Sequence, residues 1–166
     1  MDIGGIEKTT LIDYPGKVAC AVFTVGCNFF CPFCHNKDLV SQENFTKASL
    51  AEIKEEDFFD FLNRRRNILD GVCITGGEPT IQPDLVSFCQ KIKNLGLLVK
   101  LDTNGGRPGV VKDLISQKLI DFIAMDVKAD KKNYPLMTKV AYEKIAQSLV
   151  LIITSGLDYQ LRTTLV

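Results

Sequence analysis

Lys17-Val-Ala-Cys-Ala-Val-Phe-Thr-Val-Gly-Cys-Asn-Phe-Phe-Cys-Pro-Phe-Cys-His-Asn36 runs from an apolar stretch straight into three closely spaced cysteines. Residues 17–24 are almost continuously apolar and of strand length, which predicts a strand buried on both faces, as in a parallel sheet, with Cys20 as a small core residue. The loop that follows places Cys27, Cys31 and Cys34 at Cys-x3-Cys-x2-Cys spacing. One loop can direct all three sulfurs at one centre without help from the rest of the chain.

Thiolates are soft donors that favour iron-sulfur clusters or zinc. Three thiolates on a four-iron cubane leave one iron free for another ligand, which suggests chemistry rather than storage. Other readings use the same residues. Cys31-Pro32-Phe33-Cys34-His35 is formally a haem attachment sequence, and Cys31 with Cys34 matches a dithiol redox motif, but neither employs Cys27. A Cys3His zinc site would need the adjacent Cys34 and His35 on one metal, whereas structural zinc ligands are usually spaced further apart. The spacing favours a cluster, with zinc next.

At 166 residues the chain is long enough for one domain, 1–166, with a sizeable core. Its 20 Lys and Arg balance 20 Asp and Glu, so charge offers no argument for nucleic acid or an acidic membrane surface. The N-terminal residues lack a signal-peptide pattern, and no apolar run of about 18 residues could span a bilayer. A cytoplasmic protein is expected, in which six cysteines read as ligands and buried thiols rather than disulfides.

Residues 1–16 read as turn-rich, ending in the turn signal Asp13-Tyr14-Pro15-Gly16. Ser49-Leu-Ala-Glu52 reads as a capping box opening a helix over about 49–66, whose basic end, Arg64-Arg65-Arg66, suits the helix dipole. A strand at 71–75 ends in Gly76-Gly77-Glu78-Pro79 and precedes a helix at about 83–95 with Gly96 as its stop. A strand at 97–101 ends in Asp102-Thr103-Asn104-Gly105-Gly106, and Pro108 opens the next helix. A strand at 120–125 ends in Asp126-Val127-Lys128, followed by a helix at about 138–154 and a strand from 159 to the last residue.

Strands alternating with helices imply βαβ units and a parallel sheet. With about five strands, an incomplete parallel (βα) barrel is expected rather than a flat doubly wound sheet. Each of the first four strands runs into a polar or glycine-rich motif. In a parallel βα fold these motifs share the face at the strand C-termini, where such proteins build active sites. Any one of them alone could be a turn or a helix cap; four on one face point to a site.

On these residues the sequence resembles radical S-adenosylmethionine enzymes, in particular activating enzymes of glycyl-radical proteins, and is most similar to anaerobic ribonucleoside-triphosphate reductase activating proteins. The similarity extends over Ile3-Gly-Gly-Ile-Glu-Lys-Thr-Thr-Leu-Ile-Asp-Tyr-Pro-Gly-Lys17, the cysteine loop through Asn36, Thr75-Gly-Gly-Glu-Pro79, Leu101-Asp-Thr-Asn-Gly105, Met125-Asp-Val-Lys128 and Leu161-Arg-Thr-Thr164. The resemblance implies a 4Fe-4S cluster on Cys27, Cys31 and Cys34, with S-adenosylmethionine chelating the open iron. It implies Phe33 and His35 beside the adenine, Gly76, Gly77 and Glu78 near the methionine amino group, and Asp102, Asp126, Lys128 and Arg162 around the carboxylate and ribose. A monovalent cation at Asp102 or Asp126 is a further implication.

The reaction so implied is reductive cleavage of S-adenosylmethionine and generation of a glycyl radical on a partner, anaerobic ribonucleotide reductase, with flavodoxin or ferredoxin as electron donor. Relatives usually continue past the Arg-Thr-Thr strand, so the resemblance also implies a chain cut short at its C-terminus. Two alternatives stand beside it: a radical enzyme acting on a small molecule, and an iron-sulfur binding module that has lost catalysis.

Overall fold

The computed structural model describes residues 1–48 and 52–164. Among the described residues six strands form one sheet in sequence order: β1 (Ile3–Thr10), β2 (Ala19–Thr24), β3 (Gly71–Gly76), β4 (Leu98–Thr103), β5 (Phe122–Asp126) and β6 (Asp158–Arg162). Five of them, β2 to β6, are parallel, and β1 pairs antiparallel with β2. The outer strands β1 and β6 do not pair with each other, so the sheet curls into an open, incomplete (βα) barrel.

Helices α1 (Gln42–Lys47) and α2 (Glu55–Arg65) lie between β2 and β3. The remaining crossovers carry α3 (Leu85–Asn94), α4 (Pro108–Ser116) and α5 (Tyr142–Ile153).

Side chains alternate across a strand, and here the alternation separates a core from a site. Val72, Ile74, Val99, Leu101, Ile123 and Met125 pack with Phe58 and Leu62 of α2, Phe88 and Ile92 of α3, Leu114 of α4 and Ile152 of α5 in one buried cluster. Phe58 and Phe88 stack at 5.4 Å between ring centroids. The opposite face has small residues at its centre, Ala21, Cys73 and Ala124, all fully buried. Tyr14 closes that face at the strand N-termini, 5.9 Å from the Phe122 ring and against Gly71. The open end is therefore the one where the strands finish.

Three sequence expectations need correction. Of the residues 1–16 read as turn-rich, only the part after Thr10 is so; Ile3–Thr10 form β1, because pairing with β2 supplies what local propensity does not. Gly4 is required there, since a Cβ would lie 2.7 Å from Leu39 Cδ2 and 2.8 Å from Val25 Cγ2. The helix expected from residue 49 begins instead at Glu55, after Lys54 in extended conformation. Ile53 is engaged elsewhere, its N–H donating to the Ile3 carbonyl at 2.9 Å. Most of the capping box, 49–51, lies outside the described residues, and the cap that forms is Ser41, whose side chain accepts from the Asn44 N–H at the start of α1.

The helix expected from 138 starts at Tyr142, because Thr138 is taken up by a bridge to Phe29 in the cysteine loop. The sheet thus has one more strand than expected.

The packing sets a contrast that urea unfolding can check. Phe88→Ala should cost about 3–5 kcal/mol, the usual range for truncating a buried aromatic, whereas Val150→Ser on the exposed side of α5 should stay within about 0.5 kcal/mol.

Candidate active site

The loops after β2, β3, β4 and β5, with the end of β6, enclose a cavity of about 500 Å³. It lies at the C-terminal ends of the parallel strands, where βα folds place their chemistry. From the cysteine loop come Cys27, Cys31 and Cys34, with half-buried Phe33 and exposed His35. Gly76 ends β3 and Gly77 and Glu78 follow it, while Asp102 lies near the end of β4. Asp126 and Lys128 come from the end of β5, and Arg162 from β6. Every candidate site residue read from the sequence lines this one cavity.

The cysteine loop is shaped by backbone contacts. The Cys34 N–H donates to the Cys31 carbonyl at 3.2 Å, and the Gly26 and Cys27 N–H groups donate to Leu39 and Val40 at 2.7 and 2.9 Å. All three sulfurs are free thiols. Burial pushes Cys27 up to about 11. Burial also raises Cys31, against the opposing charge of Lys128. Cys20, Cys73 and Cys89 sit in the core and burial pushes each up to about 12, so they behave as small hydrophobes.

Among the described residues no three Cys, His, Asp or Glu side chains close around a single ion. A cubane makes a different demand, because each thiolate bonds its own iron and the body of the cluster separates the sulfurs. Three free thiols around one partly buried cavity fit that demand in donor type and number.

Glycine lets the β3 loop reach the cysteine loop. The Gly77 N–H donates to Thr24 and the Glu78 N–H to Gly26, both at 2.8 Å. A Cβ on Gly77 would lie 2.0 Å from the Gly26 carbonyl oxygen, so no other residue fits without displacing backbone.

Glu78 is only 1% exposed and its carboxylate is fully used. It accepts from the Thr80 N–H at 3.1 Å and the Thr80 hydroxyl, from the Thr103 hydroxyl at 2.7 Å and from the Asn104 N–H at 2.7 Å. Burial pushes its acidity towards the neutral form, while these donors oppose that shift. Its carboxylate joins the β3 loop to the β4 loop.

Charges alternate along the opposite wall. Lys100 pairs with Asp102, which also meets Arg162 at 3.0 Å and the Thr75 hydroxyl at 3.3 Å. Arg162 continues to Asp126 at 2.7 Å, and Asp126 to Lys128 at 2.8 Å. Burial disfavours the charge on Asp126, but Lys128 and Arg162 more than offset it and hold the carboxyl below its usual range. Each carboxylate already has two cationic partners.

Lys100 was not among the sequence candidates. It is 2% exposed within an apolar strand, with its ammonium also 3.6 Å from Cys73 Sγ. Its signal was the i, i+2 spacing to Asp102, which puts both on the same face of β4. Asn104, within the Asp102–Gly106 motif, is a further residue of the site; its amide lies 3.9 Å from Cys27 Sγ.

Residues 21–166 match the Radical SAM superfamily, and the chain belongs to that superfamily, whose members use a 4Fe-4S cluster and S-adenosylmethionine. It is 38% identical over 138 residues, 82% of the chain, to a Methanocaldococcus jannaschii protein named as a glycyl-radical enzyme activating enzyme. It is 30% identical over 142 residues, also 82%, to the pyruvate formate-lyase-activating enzyme of Clostridium pasteurianum. A 7-carboxy-7-deazaguanine synthase of Thermoplasma acidophilum is 30% identical over 152 residues, covering 87% of the chain and 65% of that protein.

The chain spans 54% and 56% of the first two relatives, about half their length. The solved structure of native anSMEcpe with bound AdoMet shares the fold, with a TM-score of 0.62 at 20% identity over 83% of this chain and 41% of that one.

Two variants probe the site without any ligand. Glu78→Ala strands the buried donors of Thr103, Asn104 and Thr80, and should cost about 3 kcal/mol or more in urea unfolding. Arg162→Met should be less stable than wild type, in a pH-dependent way. Because Asp126 is held below its unfolded value, its pairing contributes above about pH 4 and is lost as pH falls through the folded value. The gap between the two urea midpoints should therefore be full at neutral pH and narrow in acid.

Proposed function

We propose that this chain forms the catalytic core of a glycyl-radical activating enzyme, binding a 4Fe-4S cluster on Cys27, Cys31 and Cys34 together with S-adenosylmethionine. The observation that carries this reading is the convergence of three free thiols and the alternating Lys100-Asp102-Arg162-Asp126-Lys128 network on one cavity. The relatives named for glycyl-radical activation support the choice of reaction. When bound, the cluster and S-adenosylmethionine supply one-electron reductive cleavage of the sulfonium and, from it, abstraction of a glycine α-hydrogen.

The chain's own residues then have separate tasks. Three cations against two carboxylates leave one positive charge in excess, suited to the carboxylate of the methionine moiety. Lys128 is the cation placed to meet it, because Arg162 is spent on two carboxylates. The backbone at Gly76 and Gly77 lines the cavity and would hold the methionine amino group. Phe33 and His35 line the same cavity and would border the adenine.

The partner on this reading is a protein whose glycine loop reaches the cavity, and the motif resemblance favours anaerobic ribonucleotide reductase. A cytoplasmic flavodoxin or ferredoxin would supply the electron. A second reading, a radical enzyme acting on a small ring substrate, is favoured by the 7-carboxy-7-deazaguanine synthase relative.

After anaerobic reconstitution, Cys31→Ala should lose its iron and sulfide while Cys73→Ala keeps wild-type content. Equal loss from both would remove the cysteine assignment. Lys128→Ala should keep the cluster and bind S-adenosylmethionine more weakly in calorimetry. Reduced wild-type protein with S-adenosylmethionine should produce a glycyl radical signal in an anaerobic reductase. Modification of a free small molecule with no such signal would select the second reading.

A further inference from the structure

The cysteine loop and the β4 loop meet at a pair of asparagines. The Asn104 side chain is 5% exposed, and both ends of its amide are committed. Its Oδ1 accepts from the Gly106 N–H at 2.9 Å. Its Nδ2 donates to Asn28 Oδ1 at 2.8 Å and lies 3.9 Å from Cys27 Sγ. These contacts fix the orientation of the amide, because a flipped Asn104 would set nitrogen against the Gly106 N–H and oxygen against Asn28 Oδ1.

The surroundings leave the amide little freedom. The Asn104 backbone N–H is held by Glu78 at 2.7 Å, and Thr138 Oγ1 donates to the Asn28 carbonyl at 2.9 Å. A Cβ on Gly106 would lie 2.7 Å from Asn28 Nδ2 and 3.0 Å from Asn104 Oδ1, so the loops meet here at glycine distance. Cys27 Sγ also receives the Phe29 N–H at 3.4 Å. Two N–H groups from different loops thus point at one sulfur, and neither is needed to bind iron.

We propose that Asn104 is a positioning residue that sets the reduction potential of the cluster, its Nδ2–H donating to Cys27 Sγ while Glu78 and Gly106 hold it in place. The inference rests on the reading of Cys27 as a cluster ligand. Reduction adds negative charge to a cluster and its sulfurs, and an N–H donor stabilises that added charge. Hydrogen bonds to the sulfurs are one of the levers by which proteins tune such potentials. Removing the donor should make the cluster harder to reduce.

Asn104→Asp keeps an acceptor for the Gly106 N–H, and the Asn28 amide can rotate to donate to the new carboxylate, so the loops can retain their contact. The control is Asn28→Asp, which adds a carboxylate in the same place but leaves the Asn104 donor intact. Both proteins and wild type are reconstituted anaerobically, assayed for iron and sulfide, and titrated against redox dyes with the reduced cluster followed by electron paramagnetic resonance.

At fixed solution potential, N104D should show a reduced-to-oxidised ratio about tenfold lower than wild type, a shift of about 59 mV for a one-electron couple. N28D should shift several-fold less. An N104D potential equal to wild type, or an equal shift in N28D, would overturn the proposal by showing that the donor does not matter or that added charge alone does.

Should N104D fail to hold a cluster, wild-type protein carrying side-chain 15N-asparagine decides the matter. Double resonance on its reduced cluster should show a 15N coupling, and its absence overturns the proposal. A wild-type chain that binds no iron would instead overturn the cluster reading itself.

Discussion

The carboxylate of Glu78 is the contact on which the cavity's shape depends. A buried carboxylate is costly unless it is well supplied with donors. Glu78 has them from Thr80, Thr103 and Asn104, so the loops after β3 and β4 keep one arrangement. The same residue's N–H reaches Gly26 at the root of the cysteine loop. Three loops that could each move alone are therefore fixed to one another.

The far wall obeys a different constraint. Carboxylates at the ends of β4 and β5 and an arginine on β6 would repel or wander if left unpaired in a partly buried cavity. Alternation resolves this: Lys100, Asp102, Arg162, Asp126 and Lys128 each neighbour a charge of opposite sign. Arg162 is the centre of the series, because the separate N–H groups of its planar fork engage Asp126 and Asp102 simultaneously, Nε on the first and Nη1 on the second. The strand register brings this about, with Asp126 opposite Arg162 and Asp102 opposite Ala124, a residue small enough to leave the arginine room.

The parallel core was legible in the sequence because β2 to β5 are largely apolar and buried and each runs into a polar or glycine-rich motif. β1 was not, since Gly4-Gly5 and Glu7-Lys8-Thr9-Thr10 have no strand pattern of their own and are held by β2. α2 starts later than the Ser49-Leu-Ala-Glu52 pattern implies, because Ile53 pairs with Ile3. At the site, the unusual residues at strand ends were readable as a set. Lys100 is hidden by its apolar neighbours, and Asn104 sits in a motif that also reads as a plain glycine-rich turn. Contacts between loops distant in sequence, such as Asn28 with Asn104, leave no local pattern to read.

The central claim is that Cys27, Cys31 and Cys34 hold a 4Fe-4S cluster with one iron open to S-adenosylmethionine in the adjoining cavity. The measurement that tests it most directly is the electron paramagnetic resonance spectrum of the anaerobically reconstituted, reduced protein, recorded with and without S-adenosylmethionine. A reduced 4Fe-4S signal whose g values shift on adding S-adenosylmethionine is the expected result. A protein that binds no cluster, or a cluster signal indifferent to S-adenosylmethionine at saturating concentration, would contradict it.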